Sequence, residues 1–136
     1  KARELLAFLA DELRARCAIR EVEVVTKTAA GHPLEDERAA QIAPEADLVI
    51  AGLGDCGACS ACSLRDAITF EKLGVPATVV ITDAFVAHCA RFADTLGIPG
   101  YHTLVVPHPV SSKSDEHLRR LAAGIADAAA AQLLGG

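Results

Sequence analysis

The sequence predicts an α/β fold: a three-layer α/β/α, Rossmann-like domain built on a mainly parallel sheet of about four strands. Three observations predict it. Short apolar or β-branched runs alternate with amphipathic helical stretches along the chain, the order in which strands and crossover helices build a parallel sheet. Residues 77–82 (ATVVIT) are almost continuously apolar, as a strand covered on both faces should be. Gly74 with Pro76, and Gly97 with Pro99, stand where helical stretches should stop.

At 136 residues the chain is expected to be one domain, residues 1–136, long enough to bury a core unaided by metals or disulfides. It opens on a helical pattern and contains no Met, so a further segment carrying an earlier strand is expected ahead of Lys1. Hydrophobic residues make up 51%, yet no apolar run approaches the about 18 residues that a membrane span needs. Thirteen basic residues stand against 18 acidic ones, a net charge of -5, and the basic ones are dispersed. Neither a membrane nor a nucleic acid is the expected partner. Five cysteines, an odd and clustered set, argue against a secreted disulfide framework and for a reducing cytoplasm.

The elements follow in order. Leu5, Leu6, Leu9, Leu13 and Cys17 fall at helical spacing over residues 3–16. Val22, Val24 and Val25 read as a first strand. Gly31-His32-Pro33 breaks the chain, and Pro33 suits the first turn of a helix whose Glu35, Asp36 and Glu37 favour its positive end. That helix should stop near Pro44. Residues 47–53 form a second strand. Leu64, Ile68 and Leu73 mark the inner face of the next helix, and residues 77–82 form the third strand. Phe85, Cys89, Phe92 and Leu96 mark another core-facing helix. Residues 101–106 read as the last strand, closed by Pro107-His108-Pro109. A long final helix follows with Leu118, Leu121, Ile125 and Ala128 inward, capped by Ser112 or Ser114.

In an open parallel sheet, ligands collect beyond the carboxyl ends of the strands. Residues 26–32, 54–62, 83–85 and 108–112 fall there and should line one rim. Cys56-Gly57-Ala58-Cys59, directly after a strand, is a dithiol placed where a helix begins. The unpaired amides and the dipole of a helix start stabilise a thiolate, and lower a thiol pKa from its free value of about 8.5. Cys56 is thus the candidate nucleophile, and Cys59, one turn on, the resolving thiol. Asp55 opposes this as a nearby negative charge, unless it acts as proton acceptor or cap. Cys62 extends the pair to C-x-x-C-x-x-C, so an iron-sulfur cluster held by Cys56, Cys59 and Cys62, or a zinc held by them with His108, stays open as an alternative. Packing of small residues at a tight turn is the bland alternative. Cys17 and Cys89 fall on apolar stripes and read as core.

His108, between two prolines, is the candidate proton carrier beside Cys56; a surface loop histidine is the equal alternative. His32 offers the same argument with less force. His88 and His117 read as solvated helix residues, and His102 as satisfied in the interior. Gly54, Asp55, Gly57, Asp83, Phe85 and Ser111 are the candidate substrate contacts. For Thr82-Asp83, capping of the next helix is the better reading. Residues 111–114 (SSKS) offer an anion-holding helix start, which a plain cap explains equally well. Neither Gly-x-Gly-x-x-Gly nor a Walker motif is present, so nucleotide binding has no support.

Residues 47–109 resemble the family named for its U-G-S-C motif, whose first position is selenocysteine or cysteine. Cys56-Gly57-Ala58-Cys59 matches that motif, and Gly54-Asp55 the Gly-Asp before it. Asp66 and Glu71 match the acidic positions of the following helix. Gly74-Val75-Pro76, Phe85 and Pro107-His108-Pro109 match the later marks. Ala58 stands in place of Ser, and Cys62 is an added thiol. The resemblance implies a small α/β domain using a redox-active thiol. The motif is also similar to the selenocysteine loop of the substrate-activating subunit of glycine, sarcosine and betaine reductases, on which analogy Cys56 takes the selenocysteine position.

The expected activity is a thiol-dependent oxidoreductase or reductive lyase acting on a small molecule. No cofactor is required on this reading, and a thioredoxin-like protein or a small thiol restores the reduced pair. An oligomer or a partner subunit is compatible with the small sheet. A cysteine acid-base racemase or lyase is a further alternative.

Overall fold

A computed structural model describes residues 2–19, 21–25 and 32–134. The elements run α1 (Ala2–Arg16), α2 (Asp36–Ile42), β1 (Val49–Gly54), α3 (Gly57–Lys72), β2 (Ala77–Thr82), α4 (Val86–Thr95), β3 (Leu104–Val106) and α5 (Asp115–Leu133). Short 3-10 turns follow α2 and precede α4. The fold is mixed α/β, and the described residues form one parallel three-stranded sheet in the order β1-β2-β3.

Every residue of β2 is buried, which accounts for its unbroken apolar run. Successive side chains of a strand point to opposite faces, and the core divides accordingly. Val80 joins Leu104, Val106 and the inner faces of α1 and α5 in one cluster; Ala77, Val79 and Ile81 join Leu64, Ile68, Phe70 and Cys89 in another. Leu5, Leu9 and Leu13 supply the α1 face, and small residues such as Ala122, Ala126 and Ala129 let α5 approach it closely. Arg16 bridges the two helices through Asp127 at 2.8 Å. The expected stops are observed: Gly74 and Gly97 follow α3 and α4 with φ of 88° and 81°, the left-handed conformation that glycine adopts without a Cβ penalty.

Several expectations are corrected. Three strands are described where about four were expected. Residues 21–25 are not in a strand, and Val22 and Val24 are 41% and 58% exposed. β propensity expresses itself through cross-strand packing, and this segment pairs with none of the described strands. The last strand is shorter than residues 101–106 because the Tyr101 hydroxyl and His102 Nε2 both donate to the Ala77 carbonyl, each at 2.7 Å. Glu71 Oε1 accepts the Ala77 amide at 2.8 Å beside them, so residues 101–102 latch onto the start of β2 instead of extending β3. Burial, followed by the charge and hydrogen bond of Glu71, pushes the Tyr101 phenol pKa well up.

Leu73 closes α3 and is 45% exposed, and in α5 the inward residue is Ala129, with Ala128 exposed. Glu35, not Pro33, immediately precedes α2. Ser114 caps α5, accepting the His117 amide at 3.2 Å. His117 is half-buried rather than solvated, and Cys17 is half-buried while Cys89 is fully in the core.

Candidate functional site

The turn from β1 into α3 is tightly closed at Gly54 and tied by two hydrogen bonds to Cys56. Gly54 is buried, and a Cβ there would lie 2.7 Å from Ser60 Oγ and 2.9 Å from Ile81 Cγ2. Ser60 is fully buried, and its hydroxyl donates to the Cys56 carbonyl at 2.7 Å. Cys56 is therefore held in an extended conformation as the N-cap of α3, where its Sγ accepts the Cys59 amide at 3.2 Å. Sulfur occupies the place that a Ser or Asp oxygen usually takes at a helix start.

The Cys56 thiol is exposed, and its pKa is lowered. The hydrogen bond from the Cys59 side chain is the largest cause, followed by the Cys59 amide, with the Ala58 amide adding a smaller share; slight burial and the Asp55 charge push the other way. Asp55 thus opposes the thiolate, as its position implies, but it is the weakest of these influences. Its carboxylate is also engaged elsewhere. Oδ1 lies 3.0 Å from His108 Nδ1, and Oδ2 accepts the Ser111 amide at 3.2 Å. The Val110 amide lies 3.4 Å from both oxygens.

The strand ends converge as expected of a parallel sheet. Thr82, the last residue of β2, donates its hydroxyl to the Gly54 carbonyl at 3.3 Å, and its Oγ1 lies 2.9 Å from His108 Nδ1. Asp83 Oδ1 accepts the His108 amide at 3.2 Å. Capping is not its role, since the turn that begins at Asp83 has no side-chain cap; it ties the loop after β3 to the end of β2. Phe85 meets the His108 ring edge-on, with centroids 5.5 Å apart and an interplanar angle of 85°. His108, Asp55, Asp83 and Phe85 are thus joined directly. Ser111 contributes through its main-chain amide. Gly57 opens α3 beside Cys56, and a Cβ added there would meet no atom within 4 Å.

Other placements differ from the sequence reading. His88 reaches from α4 to the Gly57 carbonyl, with Nε2 at 3.1 Å, so it braces the first turn of the cysteine helix instead of lying free in solvent. Thr82, in sequence a cap or ligand contact, links Gly54 to His108. Both roles are hard to see in the sequence because the partners lie on elements distant along the chain. His32 is exposed, and residues 26–31 of the expected rim lie outside the described residues. Cys62 is half-buried, one further turn along α3. Among the described residues, no three His, Cys, Asp or Glu side chains are grouped as a metal ion requires.

A parallel α/β domain that caps a helix with the first thiol of a Cys-x-x-Cys pair, and gathers an Asp-His pair on the same rim, is a cysteine-centred α/β protein. A model of the UGSC family matches residues 1–135, and the chain belongs to that family. The match extends well beyond the residues 47–109 on which the motif resemblance rests. No curated protein and no solved structure matches the chain.

Proposed function

We propose that the chain is a thiol-dependent redox enzyme that reduces a small electrophilic substrate with the Cys56-Cys59 dithiol. One observation carries the reading: Cys56 Sγ sits at a helix start, accepting the Cys59 amide at 3.2 Å, with its pKa lowered first of all by the Cys59 side chain. The thiolate is the nucleophilic form of a cysteine and this placement favours it, and the thiol one turn away is placed to resolve an adduct.

With a disulfide substrate the balance is simple. The Cys56 thiolate attacks one substrate sulfur, forming a mixed disulfide and releasing the other half as a thiolate. Cys59 then loses its proton and attacks Cys56 Sγ, releasing the second half and closing the Cys56-Cys59 disulfide. Two electrons pass to the substrate, and the two leaving thiolates take up protons, one by way of His108. A thioredoxin-like dithiol, or two equivalents of a small thiol, restores the reduced enzyme. Gly54, Asp55, Gly57, Asp83, Phe85 and Ser111 frame the substrate on this rim.

The finer fold reading, a three-layer Rossmann-like domain, is supported by the two apolar clusters to which alternate β2 residues belong. The kinship with the selenoprotein subunit of the glycine-type reductases, a cytoplasmic setting and a place in an oligomer or with a partner subunit belong to the same proposal.

The test is trapping. Cys59→Ser should accumulate a mixed disulfide on Cys56, seen as a mass increase that reductant removes, and Cys56→Ser should abolish turnover. A Cys59→Ser enzyme that turns over at the normal rate sinks the resolving role. Purified protein holding zinc or iron, with Cys56, Cys59 and Cys62 shielded from alkylation until the metal is stripped, would replace this reading by a metal-binding one.

A further inference from the structure

We propose that Asp55 is the positioning residue of His108: its carboxylate fixes the imidazole as the Nδ1–H tautomer and leaves Nε2 as the atom that exchanges protons on the rim. The exchange at Nε2 rests on the redox reading above, whereas the tautomer does not.

The donors and acceptors around Nδ1 favour this tautomer. His108 Nδ1 lies 3.0 Å from Asp55 Oδ1 and 2.9 Å from Thr82 Oγ1. An ionised carboxylate only accepts hydrogen bonds. The Thr82 hydroxyl reaches the Gly54 carbonyl at 3.3 Å, so it can give its proton there and accept from the ring. The carboxylate therefore requires a proton on that nitrogen, and the Thr82 hydroxyl accommodates one. The opposite tautomer would aim a ring lone pair at a carboxylate oxygen.

Asp55 can hold this position because it is itself held. The amides of Val110 at 3.4 Å and Ser111 at 3.2 Å engage its oxygens, and the carboxylate is only 19% exposed. One side chain thereby sets the ring's proton and clamps residues 108–111 over the end of β1. Asp83 fixes the main chain of His108 at 3.2 Å, and Phe85 fixes the ring plane by its edge-on contact. Nε2 makes no hydrogen bond with any described residue, so it is the open end of the ring. A carboxylate behind Nδ1 is the arrangement by which a buried acid orients a catalytic histidine.

The experiment is a long-range ¹H–¹⁵N correlation of the histidine rings at mildly alkaline pH, with His108 assigned by its loss in His108→Gln. Wild type should show Nδ1 protonated and Nε2 bare. In Asp55→Asn the amide NH₂ can turn toward the ring, and the Nδ1–H population should fall several-fold in favour of Nε2–H. A wild-type ring protonated on Nε2, or an Asp55→Asn ring that keeps its Nδ1 proton undiminished, would overturn the proposal. Should Asp55→Asn not fold, Thr82→Val decides: Asp55 alone should preserve Nδ1–H, and its loss there would assign the tautomer to Thr82 instead.

A second readout separates positioning from general damage. Because the Asp55 charge raises the Cys56 pKa, Asp55→Asn should speed alkylation of Cys56 by iodoacetamide at neutral pH while slowing reduction of oxidised glutathione. Both rates falling together would mean a disordered rim and refute the positioning role. A wild-type enzyme that reduces no disulfide defeats the redox reading and leaves the tautomer result standing.

Discussion

The strand-to-helix turn at Gly54 offers the sharpest test of how the chain aims its thiol. In Gly54→Ala the new Cβ would lie 2.7 Å from Ser60 Oγ, 2.9 Å from Ile81 Cγ2 and 3.0 Å from Ser60 Cα. None of these can yield cheaply. Ser60 is fully buried and hydrogen-bonded to the Cys56 carbonyl, one contact is its main chain, and Ile81 is fully buried in the central strand. Overpacking of this kind costs about 1–3 kcal/mol. At about 3 °C per kcal/mol for a chain of this size, the melting temperature should fall by about 3–9 °C.

The internal control is Gly57→Ala, where a Cβ meets nothing within 4 Å. As the first residue of α3, it should gain from a few tenths to about 1 kcal/mol in helix propensity. Thermal denaturation by circular dichroism reads both effects. The pH dependence of Cys56 alkylation reads the site: displacing Ser60 loosens the cap, so the Gly54→Ala midpoint should move up toward that of an ordinary thiol. Unchanged melting in Gly54→Ala, or equal losses in the two variants, would refute the claim that this turn is sterically closed at one glycine and open at the other.

Further outcomes follow from the same geometry. In the wild-type protein Cys56 should be alkylated first and with a midpoint below that of a free thiol, whereas Cys89, its pKa raised by burial, should react only on unfolding; mass mapping distinguishes them. Cys59→Ala should raise the Cys56 midpoint, and Cys59→Ser should raise it less because a hydroxyl still donates. The sign also applies to stability: a depressed thiol pKa favours the folded reduced protein above the ordinary thiol pKa, and that contribution disappears as pH falls through the folded value. Tyr101→Phe should cost about 1 kcal/mol in denaturant titration through its lost bond to the Ala77 carbonyl. Leu9→Ala, at a fully buried contact between α1 and α5, should cost about 2–5 kcal/mol.

Much of this molecule is legible in its sequence because the signals are local. The apolar spacing of Leu5, Leu9 and Leu13, the unbroken run of β2 and the glycines after α3 and α4 each report a requirement set within one element. The failures are equally physical. Val22, Val24 and Val25 have the composition of a strand, but a strand exists only through its ladder, and composition does not say which edge it will meet. Tyr101 and His102 have suitable side chains for extending β3, yet both are drawn to a single carbonyl at the start of β2. Ala128 and Ala129 are indistinguishable by residue type, so only the phase of a 19-residue helix decides which one faces inward.

The candidate site divides along the same line. Cys56 and Cys59 announce themselves by spacing and by following a strand. Asp55 does not, because as a neighbour in sequence it is simply a charge that disfavours a thiolate. Its other property depends on β1 and β3 ending at the same rim: it can reach His108, Val110 and Ser111, which are remote along the chain. Those amides and the imidazole hold the carboxylate, and its effect on the thiol is the least of the influences on Cys56. The chain can therefore keep an acid beside Cys56 while the pKa of that thiol stays lowered. The Cys59 side chain and helix amides favour the thiolate locally, while the acid orders the histidine across the sheet.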